Sequence, residues 1–294
     1  MTTVSVVTGA NSGIGRATAL HLAQLGHEVH GSVRNLDSAA KLRSMAEDAG
    51  VEVQLFTMDV ADDGSVANGM AGVLERAGRV DVLVNNAGIG GNSVMEECPT
   101  SLYTDVFNVN FNGAVRCIQA VLPGMRERRS GAIVNVTSIT GRLAALAQQP
   151  YVASKFALEG ATEGLAQEVA PFGIRVVIIE PGITKSAIFA KNVDAPNQTG
   201  AYDAHYRRLF QFYAAGLPDA TDPMEVAEAI SHAITTDNPK LRYTMSWGGP
   251  EILGAKAKMS DEEWVALGLA ETDEEYYDNF SNAFGVDIRL KPKP

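Results

Sequence analysis

Two residues of the sequence, Tyr151 and Lys155, could carry out acid–base chemistry together. They are four residues apart, so on a helix they would share one face about 6 Å apart. A free phenol has a pKa of about 10 and is a poor acid or base near neutrality. A neighbouring ammonium favours the phenolate, and lowering the phenol pKa by about 3 units corresponds to about 4 kcal/mol. The pair therefore predicts a general acid–base tyrosine, although the same spacing is also common on ordinary helix surfaces.

A second group, the segment TGANSGIG at residues 8–15, has glycines where a phosphate-binding turn needs them. Gly9 permits a tight turn off a strand, Gly13 lets the backbone approach a pyrophosphate, and Gly15 lets a helix pack closely on the sheet. Three glycines alone are weak evidence, but here a β-rich run precedes them and a helical pattern follows. We therefore expect a dinucleotide with its phosphates at the N-terminus of that helix.

The elements that would position these residues alternate between strand and helix. Strand patterns lie at Val4–Thr8, Glu28–Val33, Glu52–Thr57, Val80–Val84, Ala132–Val136, Ile174–Glu180 and Arg242–Met245. Helix-length segments lie between them at Ile14–Leu25, Ser38–Ala49, Gly64–Ala77, Ser101–Arg128, Tyr151–Ala170 and Met224–Thr236. Because the strands are continuously apolar, the sheet should be buried on both faces. The pattern predicts an α/β fold with a doubly wound, parallel, seven-stranded sheet, the Rossmann fold.

Residues 183–222 depart from this alternation and form an insertion that also contains Phe189. The aromatic residues Tyr202, Tyr206, Phe210 and Tyr213 are spaced to share one helix face. That face could cover a pocket for an apolar substrate, or it could pack on the core or the tail; the spacing favours neither.

The tail, residues 256–294, has capping-box signals at Ser260 and Thr272, each followed three residues later by Glu. Apolar residues after each signal suggest that the tail packs on the rest of the chain. No Pro/Gly/Ser-rich linker interrupts the sequence, so we expect a single domain. Residues 1–255 would form its dinucleotide-binding part and residues 256–294 a helical extension packed on it.

Composition and charge exclude several function classes. The formal net charge is −11, and Lys and Arg do not cluster, so we expect neither a nucleic-acid partner nor an anionic membrane surface. No apolar run approaches the ~18 residues of a membrane span, and the N-terminus lacks a secretory signal. These features predict a cytoplasmic protein. The two cysteines and five histidines have no ligand spacing, so we expect no metal site.

The glycine spacing GxxxGxG resembles that of the short-chain dehydrogenase/reductase family, and further motifs follow in that family's order. They are NNAG at residues 85–88, Asn110, Ser138, YxxxK from Tyr151 to Lys155, and Pro181-Gly182. The resemblance covers about residues 3–250, and the segment 151–160 is most similar to 17β-hydroxysteroid and retinol dehydrogenases. It implies a homodimer or homotetramer in which helices 101–128 and 151–170 form an interface.

The resemblance also implies roles for individual residues. Ser138 would hold the substrate oxygen, Lys155 would also bind the nicotinamide ribose, and Asn110 would hold a water that continues the proton path. Ser186 takes the place of a family threonine that touches the nicotinamide amide. The implied cofactor contacts are Gly9, Asn11, Ser12, Gly13, Ile14, Gly15, Arg34, Asp59, Val60, Asn86, Ala87, Gly88, Tyr151, Lys155, Pro181, Gly182, Ile183 and Ser186.

The end of the second strand bears on the choice of cofactor. In relatives that prefer NAD, an acid at the position of Val33 binds the ribose hydroxyls. Here Arg34 follows instead, and its planar donor fork suits a phosphate, although it could also be a solvated strand-end cation. Asp37 is the nearest acid, and we expect it to belong to the cap of the following helix. The sequence therefore predicts NADP(H).

These features predict an oxidoreductase that transfers a hydride between NADP(H) and the carbonyl or alcohol carbon of an apolar ketone, aldehyde or secondary alcohol. The wall opposite the insertion should contain Leu143, Ala144, Ala145, Leu146 and Gln149. A second hypothesis is an NADP(H)-binding sensor or scaffold without turnover. A third, halohydrin dehalogenase chemistry, would have Arg in place of Lys155 and would lack the glycine turn.

Overall fold

The strands form one parallel sheet in the computed structural model, which describes residues 2–186 and 196–290. They are Val4–Val7 (β1), Glu28–Val33 (β2), Val53–Thr57 (β3), Val82–Asn85 (β4), Gly131–Val136 (β5), Ile174–Pro181 (β6) and Arg242–Met245 (β7). Their order is β3-β2-β1-β4-β5-β6-β7, and every neighbouring pair is parallel. The predicted doubly wound, seven-stranded sheet is confirmed. Phe189, which the sequence placed in the insertion, lies outside the described residues.

Helices connect the strands and continue beyond the last one. They are Gly13–Gln24 (α1), Ala40–Asp48 (α2), Asp63–Ala77 (α3), Thr100–Phe107 (α4), Gly113–Arg128 (α5), Gln149–Val169 (α6), Asp203–Gly216 (α7), Pro223–Thr235 (α8), Gly249–Lys256 (α9), Asp261–Ala266 (α10) and Asp273–Phe284 (α11). Within residues 2–186 and 196–290, none combines the length and the apolar character that crossing a membrane requires.

The helices cover both faces of the sheet, which explains why its strands are apolar throughout. On one face, Leu22 of α1 and Ile230 of α8 pack on Val134 of β5. On the other, helices α3, α5 and α6 supply a second core, with Met70 and Val121 among its buried residues. Strands buried on both faces cannot alternate apolar and polar residues, because each side chain enters one of the two cores.

The strand order reverses between β1 and β4, and the two connections leave the sheet in opposite directions there. A crevice opens at such a point, at the carboxyl ends of the strands. Thr8 ties the two strand ends together, because its hydroxyl accepts hydrogen bonds from the backbone N–H groups of Asn86 and Ala87, both at 3.0 Å. The fold thus places the glycine turn and the NNAG segment at one opening.

The helix predicted over residues 101–128 is confirmed, but a π-helical turn at Asn108–Asn112 interrupts its α-helical hydrogen bonding between α4 and α5. Asn110 is buried inside this turn. Gly113 follows, and a Cβ there would lie 2.8 Å from Cβ of Val60, closer than atoms can pack. The wider turn and the bare glycine let this segment lie against the end of the sheet. Single π-turns are often found at functional sites.

The tail packs against the segment after β5 and against helix α7. Ile139 and Leu143 share one apolar cluster with Phe284 and Ile288 of the tail. The buried guanidinium of Arg208 on α7 donates to two tail carbonyl oxygens at 2.9 and 3.1 Å. The tail is therefore joined to the rest of the chain by apolar packing and by polar contacts.

Both predicted caps of the tail begin a helix, but only the first is a complete capping box. Ser260 and Glu263 bond each other's backbone N–H groups. At the second cap the Thr272 hydroxyl accepts from the N–H of Glu275 at 3.1 Å. The Glu275 carboxylate accepts from the N–H of Glu271 at 2.8 Å instead of closing the box on Thr272.

We propose that the tail and residues 1–255 unfold as one cooperative unit. Ile288 is fully buried in the shared cluster, so Ile288→Ala should lower the free energy of unfolding by about 2–5 kcal/mol. Leu269→Ala is the matched control, because that tail side chain is 75% exposed. Calorimetry should show a single transition that shifts only in Ile288→Ala. A separate tail transition that shifts alone would contradict the proposal.

Candidate active site

A cavity of about 840 Å³ lies at the carboxyl ends of the strands. The sequence-predicted cofactor residues line it, with the exception of Gly15, and Ser138 lines it as well. The remaining lining residues were not among the predicted cofactor contacts: Ser32, Val33, Asn35, Ser38, Met58, Ile89, Gly90, Val109, Val136, Thr137, Ile139, Thr140, Gln148, Thr184, Phe212 and Tyr213. Side chains far apart in sequence thus face one opening.

The glycine turn forms one end of the cavity, and its backbone requires glycine. Gly13 has φ +51°, and a Cβ there would lie 3.1 Å from Cβ of Ser186, which approaches from beyond β6. At Gly15 a Cβ would overlap the Asn86 amide and the Gly9 carbonyl. Gly15 therefore serves the close contact between helix and sheet, as predicted, and this explains why it does not line the cavity.

Arg34 is a cationic side chain that also lines the cavity. Arg34 is exposed after β2, and no hydrogen bond or ion pair with the described residues occupies its guanidinium. The polar side chains of Asn35 and Ser38 line the cavity beside it. The predicted cap at Asp37 is wrong, because the Asn35 side chain caps this turn by accepting from the N–H of Asp37 at 2.9 Å. Asp37 itself does not line the cavity.

Asp59 lies after β3, the strand next to β2, and also lines the cavity. Its carboxylate accepts from the N–H of Ala61 at 3.0 Å, so it also stabilises the turn that leads into α3. The cofactor contact that the resemblance implies for Asp59 is therefore compatible with this role in the turn.

Tyr151, Ser138 and Lys155 line the same cavity. The Ser138 side chain is near enough to the Tyr151 hydroxyl to lower its pKa, and the Lys155 ammonium lies 5.6 Å from the centre of the Tyr151 ring. Lys155 is buried, and its ammonium donates to the Val136 carbonyl at 2.9 Å. The structure thus brings together three of the four residues to which the resemblance gave catalytic roles.

Burial raises the pKa of Tyr151 to about 12, and the hydrogen bond from Ser138 offsets only part of that shift. The sequence predicted that the neighbouring Lys155 ammonium lowers the pKa of Tyr151. The side chains of this chain alone give the opposite sign, because a phenolate held away from water loses its solvation. Burial also lowers the pKa of the Lys155 ammonium to about 8, although the charge of Glu159 raises it.

Helix α6 is fixed to the end of β5 at successive turns of the helix. Lys155 reaches the Val136 carbonyl, and one turn later the Glu159 carboxylate accepts from the Thr137 hydroxyl at 2.6 Å. Ser138 is the next residue of the chain. Contacts at Val136 and Thr137, two adjacent residues at the end of β5, therefore fix Ser138 and the Lys155 ammonium relative to each other.

Glu159 belongs to a buried ionic network that the sequence analysis missed. Arg242 of β7 donates to Glu159 at 3.1 Å, and it also lies 3.6 Å from the fully buried carboxylate of Glu180. Arg142 approaches Glu180 at 3.5 Å, and the Thr244 hydroxyl donates to it. Burial raises the pKa of Glu159, and the neighbouring Glu180 raises it further. A charged residue one turn beyond the lysine of YxxxK, on a helix that must be buried, was the signal available in the sequence.

Asn110 lies outside this cavity and is buried beside it. Its side-chain N–H groups donate to the Ile89 carbonyl at 2.9 Å and to the Ser154 hydroxyl at 3.0 Å. Its side-chain oxygen accepts from the N–H of Ile89 at 2.8 Å. Both amide donors are thus used within the protein, where they fix the loop after β4. The water-holding role of Asn110 stays a prediction.

The substrate end of the cavity differs from the predicted one. On the α7 side, Tyr213 of the predicted aromatic face lines the cavity, as does Phe212, which lies off that face. Tyr206 is buried in the cluster behind them. On the other side, the cavity is lined by Ile139, Thr140 and Gln148. The predicted wall of Leu143, Ala144, Ala145, Leu146 and Gln149 is wrong, because Leu143 and Leu146 pack toward the tail.

The ionic network predicts a change in the titration of Lys155. Glu159→Gln keeps an acceptor for Thr137 but removes the negative charge that raises the pKa of Lys155. That pKa should fall by about one unit from its value near 8. Competitive acetylation of lysines across a pH series, read by mass spectrometry, measures it directly.

Glu163→Gln is the matched control for this measurement. Glu163 also pairs with Arg242, at 2.6 Å, but its side chain is 55% exposed. We expect no change in the Lys155 pKa in Glu163→Gln. Equal shifts in the two variants, or no shift in Glu159→Gln, would contradict a specific effect of the buried carboxylate.

Comparison with known proteins places this arrangement in a family. The family model described as short chain dehydrogenase matches residues 3–197. The 17-beta-hydroxysteroid dehydrogenase type 1 of Mus musculus is 38% identical over 254 residues, 82% of this chain and 73% of that protein. Retinol dehydrogenase 8 of Homo sapiens is 34% identical over 249 residues, 81% of this chain and 79% of that protein.

A solved structure of a variant of actinorhodin polyketide ketoreductase with NADPH superposes with a TM-score of 0.70. It is 34% identical in sequence, and the match covers 79% of this chain and 90% of that one. These matches confirm the resemblance drawn from the motifs. The chain belongs to the short-chain dehydrogenase family, whose members are oxidoreductases that use a nicotinamide cofactor.

Proposed function

We propose that this protein is an NADP(H)-dependent reductase or dehydrogenase of carbonyl and alcohol substrates, with Tyr151 as its general acid and base. One observation carries the proposal. A single cavity is lined by the glycine turn, by Arg34, whose guanidinium bonds none of the described residues, and by Ser138, Tyr151 and Lys155. The chain thus offers a dinucleotide a place from which its reactive ring could face the tyrosine.

The residues present fit NADP(H). A Cβ at Gly9 would press on Ala87 and one at Gly13 on Ser186, so the two glycines let these neighbours approach the turn. The N-terminus of α1, where Ser12 makes no side-chain cap, would favour a phosphate. Arg34, whose guanidinium bonds none of the described residues, offers its fork to a 2′-phosphate, while Val33 stands where a repelling acid would be. Pro181 to Ile183 and Ser186 would hold the nicotinamide end. The bound cofactor supplies or accepts the hydride; the remaining steps belong to side chains of this chain.

Ser138 and Tyr151 would bind one substrate oxygen together. With a pKa near 12, Tyr151 is a neutral phenol at physiological pH, and this is the form that gives a proton to a carbonyl oxygen in reduction. In the reverse direction the phenol must first lose its proton. The Ser138 hydroxyl and the nearby Lys155 ammonium both favour the resulting anion. In the unliganded chain Tyr151 is therefore in the protonated form that reduction uses.

Tyr151→Phe should abolish turnover, because the ring stays but the proton donor is lost. We expect kcat to fall by about 100-fold to 10,000-fold, with NADPH affinity within about twofold of wild type, measured by NADPH fluorescence. Absorbance at 340 nm with a panel of apolar ketones, aldehydes, steroids and quinones gives the rates.

Tyr276→Phe is the matched control, because burial raises the pKa of that tail tyrosine to about 12 as well. It should leave the rates unchanged. Equal turnover by wild type and Tyr151→Phe would exclude Tyr151 as the acid. NADPH binding without turnover on any substrate would favour the alternative, a cofactor-binding sensor or scaffold.

Arg34→Ala should weaken NADPH binding by about 10-fold to 100-fold, because a charge-assisted hydrogen bond to phosphate is lost. NADH affinity should change little, so the ratio of the two dissociation constants reports the effect. Arg43→Ala, at an exposed arginine of the adjacent helix α2, is the control. An unchanged ratio in Arg34→Ala would remove the basis for preferring NADP(H).

We also propose that the enzyme works as a homo-oligomer. Phe156 of α6 is 43% exposed, on one of the two helical segments that the resemblance assigned to an interface. A second copy packed on this helix would cover the ring, and aromatic residues are enriched in such interfaces.

A further inference from the structure

Three buried polar side chains meet at the substrate end of the cavity: Asn92 from the loop after β4, Gln148 from the start of α6 and Tyr213 from α7. They are 3%, 6% and 8% exposed. Gln148 and Tyr213 line the cavity, whereas Asn92 lies behind them. The neighbouring lining residues Ile89, Ile139, Ile183 and Phe212 are apolar. A small polar group in an apolar wall is what fixes the orientation of a ligand.

These three side chains bond one another and leave one group available. The Gln148 amide N–H donates to the Tyr213 hydroxyl and, at 3.4 Å, to the Asn92 side-chain oxygen. The Tyr213 hydroxyl reaches the same oxygen at 3.5 Å. The Gln148 side-chain oxygen accepts no hydrogen bond from any residue that the structure describes, and it is not sealed from the cavity.

The backbone holds Gln148 in place. The preceding Ala147 has φ +51°, a left-handed conformation that costs a residue other than glycine about 1 kcal/mol or more. Ser93 pairs with Gln148 through a β-bridge, and the Ser93 carbonyl accepts from the N–H of Gln149 at 3.1 Å. The amide is therefore presented to the cavity by a fixed backbone.

We propose that Gln148 and Tyr213 bind a hydroxyl group of the substrate, so that the preferred substrates are hydroxylated ketones, or the diols formed from them. The proposal rests on the proposed function and narrows its substrate class. An apolar ketone without a second oxygen would bury the Gln148 oxygen unpaired, which costs about 1–3 kcal/mol. A hydroxyl both donates and accepts, so it satisfies this site in either orientation of the Gln148 amide.

The test compares ketones that differ only in a hydroxyl: a bicyclic decalone with its hydroxydecalones, and cyclohexanone with the hydroxycyclohexanones. Wild type should show kcat/KM at least about 10-fold higher for the best hydroxyketone of each pair. Gln148→Met keeps the length of the side chain without its amide, and Tyr213→Phe removes only the hydroxyl. Both should bring the ratio close to one. In Gln148→Met part of this change should be a higher rate with the plain ketone, because that ketone no longer buries an unpaired oxygen.

Tyr206→Phe is the matched control. Tyr206 lies on the same helix and is 4% exposed, but its hydroxyl bonds the Val94 N–H and the Pro196 carbonyl and does not line the cavity. The ratio should stay at the wild-type value in this variant. A ratio near one in wild type, or one unchanged in both Gln148→Met and Tyr213→Phe, would overturn the proposal.

A binding measurement separates this proposal from the proposed function. Calorimetric titration of the protein saturated with NADP⁺ gives dissociation constants for hydroxydecalone and decalone without turnover. Tighter binding of the hydroxydecalone that is lost in Tyr213→Phe supports the subsite even if no reduction is seen. Equal binding of the two ketones contradicts it even if reduction is fast.

Discussion

The ammonium of Lys155, buried against the end of β5, constrains much of the surrounding structure. A buried charge is costly unless hydrogen bonds and opposite charges compensate it. The Val136 carbonyl supplies the hydrogen bond, and Glu159, one turn along α6, supplies the opposite charge. Glu159 is itself buried and is compensated by Arg242 of β7. One lysine thereby connects the central helix of the site to the edge strand of the sheet.

The same contacts also hold Ser138, which lines the cavity together with Tyr151. Thr137 is held by Glu159, and Ser138 is the next residue, so the serine cannot move without disturbing the network. Glu180 lies just before Pro181 of the cofactor site and shares Arg242 with Glu159. One ionic network therefore joins the ends of β5, β6 and β7. Such connections suit the proposed reaction, because a small displacement of the proton donor would lower its rate.

The substrate end is built differently, from layers of aromatic side chains added outside the sheet. Phe212 of α7 lines the cavity, and its ring lies 5.5 Å from that of Trp247 and 6.0 Å from that of Phe280 in the tail. Arg208, one turn earlier on α7, is bonded to tail carbonyl groups. The tail thus supports the wall from behind. Differences in tail or insertion would change the pocket without touching the sheet, so substrate choice can vary on one catalytic framework.

The fold, the glycine turn and the Tyr151–Lys155 pair could all be predicted from the sequence pattern. Strand bounds from apolar runs agree with the structure to within two residues, because strands buried on both faces must be apolar throughout. The glycine turn and the Tyr151–Lys155 pair are local features, so their spacing along the chain already fixes their geometry. The π-helical turn at Asn108–Asn112 was not predicted, because it depends on close packing of Gly113 against Val60.

The pKa of Tyr151, the ionic network and the residues that line the substrate end of the cavity depend on tertiary packing. The sign of the Tyr151 pKa shift follows from burial, which no spacing reveals. Glu159, Arg242 and Glu180 lie on three separate elements, so their pairing is invisible until the sheet forms. Gln148, and not Gln149, faces the cavity because a left-handed residue and a β-bridge orient it. Contacts within one turn follow from local sequence, whereas contacts between distant elements depend on how the whole chain packs.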